Sequence, residues 1–443
     1  MNGIAALGGV TIDEGRQVHF GLKSAAVCVA TDDQIKIEER DFMVTYDPTN
    51  RLWTAAWKWT DGKASPILQN SVKEYPPSRL AKSQFEEELK EWIKCGWLIP
   101  YDESKVGPAR GLRPLMAIVR RHKNKVRPVL DFRELNTYVE TFTAQADVCA
   151  HKLREWRRRG VNVSIIDLKQ AYLQVRIDKT LWPYQTVVIK GRRYCLTRLG
   201  FGLNVAPLIM KTVLNSVLSQ EPDVKKGTSA YIDDILVNED AVKAYRVEQL
   251  ARYGLSCKAH QKATDGARIL GLNVWGEHGQ LFWKRGNEVS DMPQSLTRRS
   301  VFSYCGELIG HYPICNWLRV ATAFAKRKAN EVSTNWDGAI NDEELKVLLR
   351  EIAARVKAQD PAHGKWNVSG DKARVWVDAS SLALGVVLEV DDHAVENAAW
   401  LRRNDASHIN MAELDAVIKG LNLALFWQLK KISFPPPLSM PSI

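Results

Sequence analysis

The chain has 443 residues, 45% of them hydrophobic and 26% charged, with a formal net charge of +11. That length holds two to four domains and a substantial core, and the positive excess points to a polyanionic partner, usually nucleic acid. The seven cysteines are scattered with no C-x-x-C pair, which argues against a structural zinc site and a disulfide framework. No secretory signal starts the chain and no apolar run approaches a membrane span, so an intracellular, cytoplasmic setting is expected.

In chain order, the first forty residues predict little structure. Gly8 to Ile12 reads as a strand end and Thr31 to Arg40 as a polar linker. Alternating apolar positions from Asp41 to Trp59 predict strands, closed by Thr60-Asp61-Gly62. Ser83 to Trp97 predicts a helix with Ser83 as its cap, Glu86 three residues on, and Phe85, Leu89, Trp92 and Ile93 on one face. Leu115 to Arg121 and Val126 to Phe132 read as two strands joined by a basic turn at His122 to Lys125. A helix at Ala150 to Arg159 precedes the strand Val161 to Ile166, which delivers Asp167 at its end. Another helix spans Val205 to Ser219.

Residues Ala230 to Val237 run Ala-Tyr-Ile-Asp-Asp-Ile-Leu-Val, two carboxylates between two short apolar strands. In a regular strand Asp233 and Asp234 would face opposite ways, but at a hairpin turn both can serve one site. Beyond it come a helix at Ala241 to Tyr253, stopped at Gly254, and strands at Ile269 to Trp275 and Gln280 to Lys284. Helices follow at Ser300 to Asn330, interrupted by Pro313, and at Glu343 to Lys357. Pro361 to Asp371 reads as a linker, Arg374 to Val377 with Leu384 to Val390 as a hairpin, and Ala412 to Leu429 as a helix. The final prolines at 435–437 and the tail after them fit no folded pattern.

The chemistry rests on carboxylates. Adjacent acids are costly to ionise unless a cation sits between them. Asp167, at the exit of a buried strand, makes a natural third oxygen donor, with a neighbouring backbone carbonyl beside it. An all-oxygen set suits magnesium, which takes its other ligands from water and substrate phosphates. Read alone, Asp233-Asp234 is a turn, Asp167 a helix cap, and the arginines of residues 120–127 a solvated basic hairpin.

Four motifs in order shift that balance. Lys125-Val126-Arg127-Pro128 through Asn136, Ile166-Asp167-Leu168-Lys169-Gln170-Ala171-Tyr172, Leu199-Gly200-Phe201-Gly202 through Pro207, and Tyr231-Ile232-Asp233-Asp234 resemble those of long-terminal-repeat retroelement reverse transcriptases. The resemblance covers roughly residues 75 to 285. It implies an α+β right-hand polymerase whose antiparallel palm sheet packs on helices, between fingers and thumb. It further implies RNA-directed DNA polymerase activity within a retroelement polyprotein. By it, Asp167, Asp233 and Asp234 hold two magnesium ions, for which manganese can substitute. Arg127 lies against the incoming triphosphate, and Arg120 or Arg121 meets the gamma-phosphate. Leu168 and Ala171 line the nucleotide, Tyr172 is the steric gate against ribose, and Phe201 with Gly202 floors the new base pair. Gly200 stands where the family commonly has proline and would add flexibility. Lys258 approximates the lysine that protonates pyrophosphate. The implied partners are an RNA or DNA template with its primer and deoxynucleoside triphosphates, with a homo- or hetero-dimer open. A catalytically weak or silent nucleic-acid-binding remnant is the alternative.

Farther on, Val375-Trp376-Val377-Asp378-Ala379-Ser380 and Ile409-Asn410-Met411-Ala412-Glu413-Leu414 resemble the start of an RNase H domain, with Asp378 and Glu413 as its first two metal carboxylates. A strand with Thr-Asp-Ser and a fourth acid do not follow, so a partial RNase H-like α/β module without nuclease activity is expected. The resulting map is 1–45 an upstream linker or protease-tail remnant, 46–294 fingers and palm, 295–370 thumb and connection, and 371–443 the RNase H-like part.

Overall fold

The computed structural model describes residues 35–64, 67–68, 75, 77–120, 125–141, 149–402 and 408–435. The readings at residues 7–12, the turn at 122–124, Arg121 and the tail beyond 435 lie outside these residues.

At the centre stands a four-stranded sheet in the order Thr228–Tyr231, Asp234–Asn238, Val163–Asp167, Gln261–Lys262, all pairs antiparallel. Its middle strands are apolar on both faces because each face meets its own core. Ile166, Ile235 and Val237 pack with Ile209 and Met210 of the helix Ala206–Leu218. Ile165, Val163 and Leu236 turn the other way, toward Trp156 of the helix Cys149–Arg157 and Trp283. The sheet is therefore a wall between two cores, and its ends are the places left for polar side chains.

Around it, Phe42–Asp47 and Leu52–Trp57 form the expected antiparallel pair, burying Phe42, Val44, Tyr46, Trp53 and Trp57 on alternate positions. The polar stretch before them is not wholly a linker: Lys36–Glu38 adds a third strand, with Ile37 as its buried residue. On the opposite edge Val175–Ile177 joins in parallel. The helix at Lys82–Lys94 buries Phe85, Leu89 and Trp92, but Ile93 points outward. Ser83 lies inside this helix and donates to Glu87, so it is not the cap. Leu115–Arg120 and Lys125–Leu130 pair as the basic hairpin.

Several elements differ from the sequence reading. The helix expected at 241–253 is a single α-turn, Ala244–Val247, followed by a 3-10 stretch, Glu248–Tyr253. Its last carbonyls leave the helix ladder for the neighbouring sheet: Trp53 Nε1 donates to Tyr253 O at 2.9 Å and the Tyr46 hydroxyl to Arg252 O at 3.2 Å. The apolar run 269–275 is two strands, Ala267–Ile269 and Leu272–Glu277, reversed at Leu270-Gly271, both at positive φ. The stretch 361–371 contains a strand, His363–Lys365, on the edge of Gln280–Arg285, and it buries Trp366 completely.

Three helices, Arg298–Ile309, Trp317–Glu331 and Glu343–Ala358, continue the second core. The last region is a sheet ordered His393–Leu401, Ala383–Val390, Lys372–Ala379, Lys431–Ser433, covered by the helix Ile409–Phe426. The strand His393–Leu401 was not anticipated. Nor was Lys431–Ser433, which pairs in parallel with Lys372–Ala379. The module has its own core of Val375, Val386, Leu388, Leu423 and Trp427. Among the described residues no helix is long and apolar enough to cross a membrane.

Candidate active site

The carboxylate hairpin is tighter than its sequence suggests. Tyr231 pairs with Asp234, leaving a two-residue turn, Ile232-Asp233. Ile232 therefore takes a left-handed φ of +57°, a conformation that costs a β-branched residue about 1–3 kcal/mol. Asp233 occupies the turn itself. Asp234 is not at the tip; it opens the second strand, directly opposite Asp167. Residues directly opposite share a face, and like charges there repel. Asp233 is tied to the same place through its backbone, where its carbonyl accepts the Leu168 N–H at 3.0 Å.

The electrostatics follow. Burial first, and the Asp167 carboxylate second, push the Asp233 carboxyl above the usual carboxylate range, while Lys258 and Arg127 pull it back. Lys258 is pinned from both ends: its ammonium contacts Asp167 Oδ2, and its N–H donates to the Asp167 carbonyl at 2.8 Å. A cation thus already sits on the first carboxylate.

All three acids line one groove of about 960 Å3, together with Lys125, Arg127, Tyr172, Phe201 and Lys258. Arg127, on the inner strand of the basic hairpin, lays its guanidinium 4.1 Å from the centroid of Phe201. Tyr172 meets the other part of that ring edge-on at 5.0 Å. The tyrosine hydroxyl is pushed up to about 12 by burial and by Asp233, so it stays a neutral phenol. Leu168 and Ala171 also reach the groove lining, but their side chains are buried. What they offer a ligand is backbone. Arg120 pairs with Lys125 across the basic hairpin.

Of the two loop glycines, Gly200 departs from the role expected of it. A Cβ on Gly200 would lie 2.3 Å from the ring of buried Phe132, so Gly200 provides close packing, not flexibility. Gly202 is required by its φ of +95°, with no backbone crowding it.

Sequence reading missed the side chains that hold these parts in place. Asn136 spans the loop, donating to Gly202 O and accepting from Asn204 N, each at 2.9 Å. Gln174 joins the Asp167 loop to the Lys258 segment by donating to Lys169 O at 2.6 Å and Ser256 O at 2.9 Å. Neither bridge has a local signal, because the far end of each lies well along the chain, Gly202 66 residues from Asn136 and Ser256 82 residues from Gln174. Asp378 and Glu413 stand apart from this site, on the C-terminal sheet and helix, and both are exposed.

The donor chemistry fits magnesium: oxygen ligands only, crowded enough that one carboxyl is driven toward its neutral form. Among the described residues no three acidic, histidine or cysteine side chains form a ready-made metal cage. Such a cage is unnecessary for an ion that binds through one or two carboxylates plus substrate phosphates.

Comparison with known proteins agrees with this geometry. Residues 118–256, which include all three acids, match the model of the reverse transcriptase (RNA-dependent DNA polymerase) family. They form a reverse transcriptase domain. Residues 297–358 match a domain of unknown function, DUF7047. The Pro-Pol polyprotein of simian foamy virus type 1 is 27% identical over 214 residues, 46% of this chain and 18% of that protein. An uncharacterized Caenorhabditis elegans protein, K02A2.6, is 23% identical over 234 residues, 50% of this chain and 17% of that one. The chain thus spans under a fifth of the length of these relatives. Foamy viral protease-reverse transcriptase solved with double-stranded DNA shares the fold, with a TM-score of 0.62 at 17% identity over 87% of this chain and 88% of that one. The same protein with an RNA/DNA hybrid matches equally, over 86% of this chain and 51% of that one.

Proposed function

We propose that the chain extends a primer on an RNA template with deoxynucleotides, as the polymerase part of a retroelement polyprotein. The observation that carries this reading is the cross-strand pairing of Asp167 with Asp234, with Asp233 in the adjoining turn and its carbonyl bonded to the Leu168 N–H. The nucleic-acid complexes of its structural relatives support it.

Asp167, Asp233 and Asp234 would hold magnesium, or manganese with the same oxygen preference. When bound, two such ions lower the pKa of the primer 3′-hydroxyl and neutralise the departing pyrophosphate. The remaining steps fall to the chain. Arg127, held over the Phe201 ring, would present its fork to the triphosphate. Tyr172, fixed edge-on against Phe201, crowds the position of a ribose 2′-hydroxyl. Lys258, whose ammonium contacts Asp167, would stand beside the leaving pyrophosphate as proton donor. Most of the rate gain would come from positioning and charge neutralisation.

For residues 371–433 we infer no RNA-cleaving activity, since of the four carboxylates the resemblance expects they offer Asp378 and Glu413. Purified protein with a primed RNA template, deoxynucleotides and magnesium should extend the primer, and the binding should weaken steeply with salt. Absence of extension with both magnesium and manganese would overturn the proposal.

A further inference from the structure

A second cavity, of about 490 Å3, shares no lining residue with the groove. Its wall carries Arg176, Lys179, Arg198, Trp182, Asp178 and Cys95. The arrangement starts with strand alternation. Val175 and Ile177 are buried, so Arg176 between them faces out. Arg198 lies just past the strand Arg192–Leu196 and bridges antiparallel to Arg176, which sets the two arginines directly opposite one another.

Like charges so placed repel unless something answers them. Among the described residues neither guanidinium has a hydrogen bond or an ion pair. The one carboxylate in the wall, Asp178, is taken by Thr180, whose N–H and hydroxyl donate to it at 2.9 and 2.6 Å. Lys179 adds a third cation, its ammonium 6.0 Å from the Trp182 ring. Asp47 feels Arg176 only weakly, and its carboxylate is occupied by Asn50. Burial first, then Arg176, bring Arg198 down to about 10. The group is thus held in an environment that disfavours its charge and would gain from an anion.

We propose that this cavity binds a phosphate group, from a nucleotide or from a nucleic-acid strand, between Arg176 and Arg198. Two opposed guanidinium forks match tetrahedral oxyanions, which they bind through paired N–H donors. The volume lies in the range that holds a nucleotide. Trp182 supplies an apolar wall beside the charges. This site is separate from the polymerase groove and does not depend on its chemistry.

The test is calorimetric titration of the full chain with pyrophosphate in chelator, which keeps divalent cations out of the groove. Relative to wild type, Arg198→Gln and the exposed Arg176→Gln should each bind roughly tenfold more weakly. Arg198→Lys should fall between, since it keeps charge but loses the fork. Competition by a deoxynucleoside triphosphate against competition by a short thymidine oligonucleotide identifies the source of the phosphate. No pyrophosphate binding by wild type overturns the proposal. So does undiminished binding in Arg176→Gln and Arg198→Gln.

Discussion

Two sets of carboxylates, Asp167 with Asp233 at the central sheet and Asp378 with Glu413 on the C-terminal strand and helix, look alike on paper and differ in the fold. The first pair lies at the edge of a wall between two apolar cores, inside a groove, with one carboxyl displaced by burial and by its neighbour. The second pair is exposed, on a module whose conspicuous interactions are with the rest of the chain. Arg157 is the centre of those contacts. Fully buried and brought down to about 9 by desolvation, it donates to Lys365 O, Trp366 O and Val395 O at 2.9, 2.8 and 2.6 Å. Beside it, Arg154 forms a two-point pair with Glu396, which also accepts from Trp427 Nε1. Carboxylates make a reactive centre where the fold crowds and desolvates them.

The contrast can be broken or sharpened by substitution. Asp233→Asn should lower primer extension on the order of a thousandfold, the several kcal/mol that cation-held charge stabilisation supplies; single-turnover assays measure it. Arg157→Ala leaves three carbonyls unsatisfied and should cost about 3 kcal/mol or more of stability, read by denaturant melts. Tyr172→Ala should raise ribonucleotide incorporation about tenfold, the worth of roughly 1.4 kcal/mol of lost steric discrimination. Unchanged sugar selectivity would remove Tyr172 from the gate.

A smaller effect concerns pH. The Asp233 carboxyl is raised in the fold, so the folded chain holds that proton more tightly than the unfolded one. In strong acid both states are protonated and nothing is lost. As pH climbs past the ordinary carboxylate range, ionisation costs the folded state stability, and this cost persists at neutrality. In chelator, Asp233→Asn should therefore melt above wild type at neutral pH and level with it in acid. Last, Asp378→Asn with Glu413→Gln should leave extension within about twofold, well under the 1.4 kcal/mol of a tenfold change. A large loss would mean that the module enters the polymerase site.

Much of this was legible because it is local. The run Val163 to Asp167 and the hairpin 228–238 announce their strands through continuous apolar content, and the double acid announces the turn. What the sequence concealed depends on partners far along the chain. The helix expected at 241–253 gives its last carbonyls to Trp53 and Tyr46. Polar-looking 361–371 pairs with a strand eighty residues earlier and buries Trp366. Gly200 reads as a loose substitute for proline until Phe132 is seen against it. The division of labour between Asp233 and Asp234 turns on a one-residue register that composition does not encode.

The most direct test is single-turnover extension of a primed RNA template across a magnesium titration, for wild type and Asp167→Asn. The account predicts no extension in chelator, saturable activation by magnesium in wild type, and loss of that activation in the variant. Extension without any divalent cation, or a magnesium dependence that Asp167→Asn leaves unchanged, would contradict it.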